Sequence, residues 1–218
     1  MITDVCVCGG SDATTTPRRL ALTAASCGFD SIVLCGPETP PVSYAGVTLY
    51  PGKLIGKQNG KTFLDSIRKT PKGTIVLVSV ADNSFNRTAI TTRGVHLLTG
   101  ICDLPKGGFD HIVAKMAAQQ NVGVVLDLAK ILDGKTRRTA LARYAEILAF
   151  HRKFRFPLLI ASGARDQFGF RTVQEVTALC ALFGMTREEV SISFGSLEGI
   201  LNPPRQVTIV ETKTEEGL

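Results

Sequence analysis

Seven short runs of apolar and β-branched residues alternate with helix-length periodic segments along this chain, and that alternation constrains the fold more than any other feature. The runs are 2–8, 31–35, 47–50, 74–80, 95–101, 122–128 and 157–162. Helical periodicity occupies 17–26, 62–69, 83–93, 108–121, 136–154, 172–183 and 186–193, and 37–44 reads as irregular. The run 74–80 is apolar almost throughout, as strands buried on both faces are. Punctuation agrees: Pro17 suits a first helical turn, Gly28 and Gly184 suit helix ends, and Thr186 with Glu189 has capping-box spacing. Alternation of this kind predicts an α/β protein with a parallel sheet. At 218 residues the expected form is one domain over 1–218, a distorted TIM-like β/α barrel with seven to eight main strands. An eighth strand is expected from 206–210 or as an added edge, with 211–218 fraying.

The chain is 44% apolar and 20% charged, enough to bury a large core. No apolar window of about 18 residues exists, which argues against a membrane-spanning helix. Residues 1–8 have no basic stretch leading into a long apolar one, so a cytoplasmic protein without a secretory leader is expected. The six cysteines form no C-x-x-C pair and read as reduced thiols. Cys6 and Cys8, two apart in a strand, are expected on one face. Net charge is +6 and pI about 9.1. Nine bases fall between Lys135 and Arg171, opposed within that span only by Glu146 and Asp166, so a phosphate-facing role for part of this segment is expected.

Barrel chemistry sits at the C-terminal ends of strands. The candidates there are Asp12, Asp82, Asp103, Asp127, Ser162 and Arg165. Asp12 and Asp82 precede helices and read as caps. Asp127 stands inside an apolar run, and its residue type assigns it no role. His96, His111 and His151 show no metal-ligand spacing, and His96 reads as a half-buried, hydrogen-bonded strand residue. Gly9–Gly10, Gly107–Gly108 and Ser162–Gly163 could approach phosphates, but none matches a Walker loop or G-x-G-x-x-G. No metal or cofactor held by this chain is expected. In the helical segment 108–121, His111 and Lys115 are four apart and share a face.

Three groups of residues carry a family resemblance. Asn86, Arg87 and Ala89 precede Gly94, Val95 and a strand; Gly108 to Ala118 forms a second segment; Ile160 to Ala164 with Phe170, Arg171, Gly184 and Met185 forms a third. Together they resemble the archaeal-type ribonuclease P protein component 3 family, and Asp4–Val7 with Cys27–Val33 agrees. The resemblance implies a barrel related to PHP-type phosphoesterases. It also implies a subunit of ribonuclease P, whose RNA removes the 5′ leader from precursor tRNA with Mg²⁺. The partners implied are that RNA, precursor tRNA, protein component 2 and other ribonuclease P proteins. Arg87, His111, Lys115, Arg165 and Arg171 become the candidate RNA-contacting residues, and no catalytic residue is assigned to this chain. The sequence departs from the pattern in places. Related phosphoesterases keep H-x-H after the first strand, where this chain has Cys6-Val7-Cys8. Arg171-Thr172-Val173 lacks a family proline, and His96 stands where an acidic residue is usual. The alternative reading is a metal-dependent phosphoesterase on the same fold.

Overall fold

Seven strands run parallel and side by side in the order β1-β2-β4-β5-β6-β7-β8. They are β1 (Thr3–Cys8), β2 (Ser31–Cys35), β4 (Val47–Ile55), β5 (Ile75–Ser79), β6 (Leu97–Thr99), β7 (Gly123–Asp127) and β8 (Leu158–Ala161), and an eighth, β3 (Val42–Tyr44), pairs antiparallel with β4. The structure is a computed structural model that describes residues 1–8, 15–36, 42–104 and 108–203, without the side chain of Cys8. The expected cap Asp12 and the expected edge strand at 206–210 lie outside the described residues, as does the expected fraying at 211–218. The helices are α1 (Pro17–Cys27), α2 (Gly60–Arg68), α3 (Asn83–Thr91), α4 (His111–Gln119), α5 (Ala129–Leu132), α6 (Arg137–Phe154), α7 (Val173–Ala181) and α8 (Arg187–Leu201).

The two ends of the sheet meet. β1 and β8 lie in contact, but no ladder joins them. Instead the Asp4 carboxylate Oδ1 accepts a hydrogen bond from the Ser162 backbone N at 2.8 Å, across the seam. The result is a nearly closed barrel. Its interior is filled by Val5, Val33, Leu77, Leu97, Val125 and Leu159. Strand alternation sends Ile32, Leu34, Val76, Val78, Val124 and Leu126 outward against the helices. Leu197 and Ile200 of α8 join the interior cluster and floor the barrel where the strands begin. Gly123 opens β7 at that floor, and a Cβ there would run into side chains of Leu159, Ile200 and Leu97.

Where the sequence expectations differ, the backbone gives the reason. The stretch 37–44 was expected to be irregular, yet 42–44 is a strand. Ala45 and Gly46, with φ of 51° and 79°, turn it tightly onto β4. β4 continues to Ile55 beyond the expected end at 50. On the edge shared by β3 and β5, Pro51 falls between the last β3 pair at Leu49 and the first β5 pair at Gly52. β1 does not alternate regularly either. Asp4 pairs with Ile32 but Val7 pairs with Leu34, so β1 carries one extra residue, and Cys6 adopts φ 68°. The two-residue spacing of Cys6 and Cys8 therefore does not fix a common face. Other local signals hold as expected. Pro17 follows the N-cap Thr16, Gly28 ends α1 in the left-handed region, Asp82 caps α3, and Thr186 with Glu189 forms a capping box.

Candidate nucleic-acid interface

Helices that follow strands begin at the end of the barrel where the strands finish, so the N-termini of α3 and α4 share that end with the barrel mouth. Two regions there concern function: the shoulder formed by α3 and α4, and the mouth itself.

The shoulder is built on Asn86. This side chain is fully buried in α3, accepts from the Ala81 N at 2.8 Å, and donates to the carbonyls of Ala81 and Gly108. One amide thereby ties the loop after β5 to the segment entering α4, satisfying backbone groups that burial would otherwise strand. Asp110 then caps α4, with Oδ1 accepting from the N–H groups of Ile112 and Val113 at 2.9 Å. Its other oxygen accepts from Asn83 Nδ2 at 3.2 Å and lies 3.5 Å from the Arg87 guanidinium. Arg87, His111 and Lys115 are thus gathered on one structure. Arg87 is half-exposed beside Asp110, His111 follows it as the first residue of α4, and Lys115 is exposed one turn later. The i, i+4 spacing read from the sequence places His111 and Lys115 on the same outer face, while Val113, Ala114 and Ala117 face the core.

The mouth is a cavity of about 520 Å³ lined by Cys6, Ser79, Thr99, Asp103, Asp127, Lys130, Asp133, Arg165 and Asp166, among others. One ion pair spans it, and its other carboxylates accept from backbone amides. The Lys130 ammonium contacts both oxygens of Asp103, at 2.8 and 3.1 Å, and this contact raises the lysine pKa. Asp127, which the sequence left without a role, accepts from the backbone N of Ala129, the first residue of the short α5, at 3.0 Å. Burial raises its pKa. The Asp127 carbonyl accepts from the buried Tyr144 hydroxyl at 2.7 Å, which fixes α6 to the end of β7. Gly163 has φ 69°, and a Cβ there would collide with the Asp127 carboxylate. Below the rim, Asp4 is buried, and burial pushes its pKa up to about 7.

This donor set does not fit the metal centre of a phosphoesterase. Among the described residues, no three His, Cys, Asp or Glu side chains converge on a point where an ion could sit. Asp103 is engaged by Lys130 and Asp127 by a backbone amide. The histidines are elsewhere: His96 Nδ1 accepts from the Val76 N at 3.0 Å, and His151 Nδ1 bonds the Phe156 carbonyl at 2.7 Å. Burial lowers the pKa of both rings, which favours neutral imidazoles held for structural reasons.

The remaining candidates lie on the loop from β8 to α7. Arg165 is exposed on the mouth wall. Arg171 is half-buried, and its Nη1 donates to the carbonyls of Phe168 and Phe170 at 3.0 and 2.6 Å, so part of its fork is spent on the loop. The basic helix α6 divides similarly. Arg137 donates to the carbonyls of Ile131 and Leu132, and Arg143 binds Glu146 and the Leu104 carbonyl. Arg152 grips Glu189 of α8 with two bonds, at 2.7 and 2.9 Å. Arg138, Lys153 and Arg155 are exposed. The sequence reading missed Asp110, Asn86 as a brace, and the Asp4–Ser162 seam. Two signals for them were present: an Asp directly before a helical period, and an Asp inside an apolar strand.

A family model described as RNase P subunit p30 matches residues 1–203. The chain belongs to that family. Ribonuclease P protein component 3 of Methanococcoides burtonii is 35% identical over 118 residues, which are 53% of this chain and 48% of that protein. The protein of the same name from Methanothermobacter thermautotrophicus is 33% identical over 149 residues, 66% of this chain and 61% of the relative. The matched part thus spans about half of the first relative and about three fifths of the second. A chain in a cryo-EM structure of archaeal ribonuclease P with mature tRNA superposes with a TM-score of 0.71 at 16% identity, covering 98% of this chain and 100% of that one. The zinc-containing histidinol phosphate phosphatase of Lactococcus lactis superposes with 0.57 at 10% identity, covering 84% and 92%. At such identities the likeness is one of fold. Both superpositions agree with the distorted β/α barrel that the sequence reading expected.

Proposed function

We propose that this chain is a protein subunit of ribonuclease P, supporting RNA-catalysed removal of the 5′ leader from precursor tRNA. The match of the p30 family model over residues 1–203 carries this reading. Cleavage belongs to the RNA subunit and its Mg²⁺; the work of this chain is to contact RNA and to pair with protein component 2 in the cytoplasm. Arg87, His111 and Lys115 on the shoulder, with Arg165 and Arg171 beside the mouth, are the RNA-facing residues in this reading. Lysine and arginine beside phosphates displace counterions and lower the repulsion between RNA segments, so the folded RNA needs less Mg²⁺. Such contacts read the shape and backbone of RNA rather than base identity. The arrangement supports that role physically: the shoulder cations stand on an internally bonded frame, whereas at the mouth Lys130 is spent on Asp103 and the other carboxylates on backbone amides. Mixing the full chain with ribonuclease P RNA and component 2, and following precursor-tRNA cleavage across Mg²⁺ concentrations, tests the proposal. Omitting the chain should raise the Mg²⁺ requirement. An unchanged requirement would overturn the reading, and an effect that persists without component 2 would remove the pairing from it.

A further inference from the structure

The five cysteines whose side chains are described do not share one environment. Cys102 and Cys180 are buried, and burial pushes their thiols up to about 11 and about 12. Burial also raises Cys27. All three are held in the unreactive thiol form at neutral pH. Cys6 and Cys35 are set apart by their geometry. They lie on the adjacent strands β1 and β2, and their Sγ atoms are 3.9 Å apart.

The backbone explains the meeting. Regular alternation would put Cys6 opposite to Val5, on the outer face. The extra residue in β1 and the left-handed backbone of Cys6 break that alternation, so Val5 and Cys6 both pack on the interior cluster. Cys35 points inward by ordinary alternation from Val33 and belongs to the same cluster. A non-glycine residue in the left-handed region is strained, and here the bulge brings two thiols into contact. Their separation exceeds a disulfide bond by about 1.9 Å. Access is unequal. Cys6 is half-buried on the wall of the mouth, while Cys35 is 7% exposed and wedged above Gly52, where a Cβ would stand 2.9 Å from its sulfur.

We propose that Cys6 and Cys35 form a dithiol modification site at the barrel mouth, closing to a disulfide by exchange with a low-molecular-weight disulfide such as oxidised glutathione. The Cys6 thiolate attacks one sulfur of the oxidant. The oxidant's S–S bond breaks, and the departing sulfur takes the electron pair and a proton, leaving a mixed disulfide on Cys6. The Cys35 thiolate then attacks the Cys6 sulfur and expels the second small thiol. Two protein thiols are oxidised, one small disulfide is reduced to two thiols, and the two protein protons end on the leaving groups. The new bond ties the bulged part of β1 to β2 at the mouth.

The full folded chain, equilibrated in glutathione redox buffers, acid-quenched, alkylated and mapped by peptide mass spectrometry, tests the site. A reductant-reversible Cys6–Cys35 linkage is expected in the parent and in Cys8→Ser, with Cys102 and Cys180 still reduced. It should be absent from Cys35→Ser. Because Cys35→Ser can fail to fold, Cys8→Ser carries the decision. Cys8 pairs in register with Cys35 and is the natural competitor. A Cys8–Cys35 linkage in the parent would overturn the proposal. So would a persistent glutathione adduct on Cys6 with Cys35 reduced, or no oxidation of the folded chain.

Discussion

The shoulder and the mouth occupy the same end of one barrel and carry similar residue types, but they spend their charges differently. At the mouth, Lys130 closes on Asp103, and Asp127 accepts from the backbone amide that opens α5. On the shoulder, one carboxylate, Asp110, caps α4 and sits beside Arg87, while His111 and Lys115 project outward from the helix it caps. A mouth whose carboxylates are consumed internally is poor at holding metal and substrate. A shoulder that displays cations on a braced frame is suited to a polyanion. The position inherited from a fold therefore says less about function than the accounting of each charge does.

The largest expected effect breaks the frame of the shoulder. Asn86→Ala removes the three hydrogen bonds of a buried amide, one of them fully buried, and takes partners from the Ala81 and Gly108 backbone groups. A loss of about 2–4 kcal/mol in chemical denaturation is expected. A loss below about 0.5 kcal/mol, the range of ordinary surface substitutions, would show that the shoulder is not held by this amide.

Next in size is the seam under the mouth. Burial raises the folded pKa of Asp4 to about 7, above the ordinary carboxylate value of 3.8, so the folded state binds a proton more tightly than the unfolded chain. Stability from this group therefore falls as pH rises between those two values. Asp4→Asn keeps an acceptor for the Ser162 N and removes the titration. The variant should gain about 1–3 kcal/mol on the parent between pH 5 and pH 8. Parallel stability profiles for the two proteins would contradict the assignment.

A smaller effect sharpens the contrast with α6. Arg152→Ala removes the paired contact with Glu189, whose carboxyl that arginine holds down at about 2. The pair is half-exposed, so about 1 kcal/mol of stability is expected to go, with RNA affinity unchanged at constant salt. A marked drop in RNA affinity would move α6 from brace to interface.

These contrasts also show what the sequence made legible. The barrel, its seven parallel strands and some helix ends, at Pro17, Gly28, Asp82 and Thr186–Glu189, followed from periodicity and punctuation, because those depend on neighbours in the chain. The continuation of β4 through Pro51 did not, since tolerance of that proline depends on where two other strands stop pairing. The bulge at Cys6 left no trace in the alternation. On the site, the pairing of His111 with Lys115 was readable from spacing. The basic span 135–171 misled in part, because counting charges within a window cannot see Glu189 arriving from α8 or carbonyls receiving Arg137 and Arg171. Asp127 could be noticed but not explained without the α5 amide it accepts from.

The most direct test of the central claim compares shoulder and mouth in one binding experiment. Ribonuclease P RNA is titrated with the parent chain, with His111→Ala/Lys115→Ala, and with Asp103→Asn/Lys130→Gln, across a range of salt concentrations. The shoulder variant should bind about tenfold more weakly, with a salt dependence shallower by about one ion per lost phosphate contact. The mouth variant should match the parent. Equal binding by the shoulder variant, together with weakened binding by the mouth variant, would contradict the account.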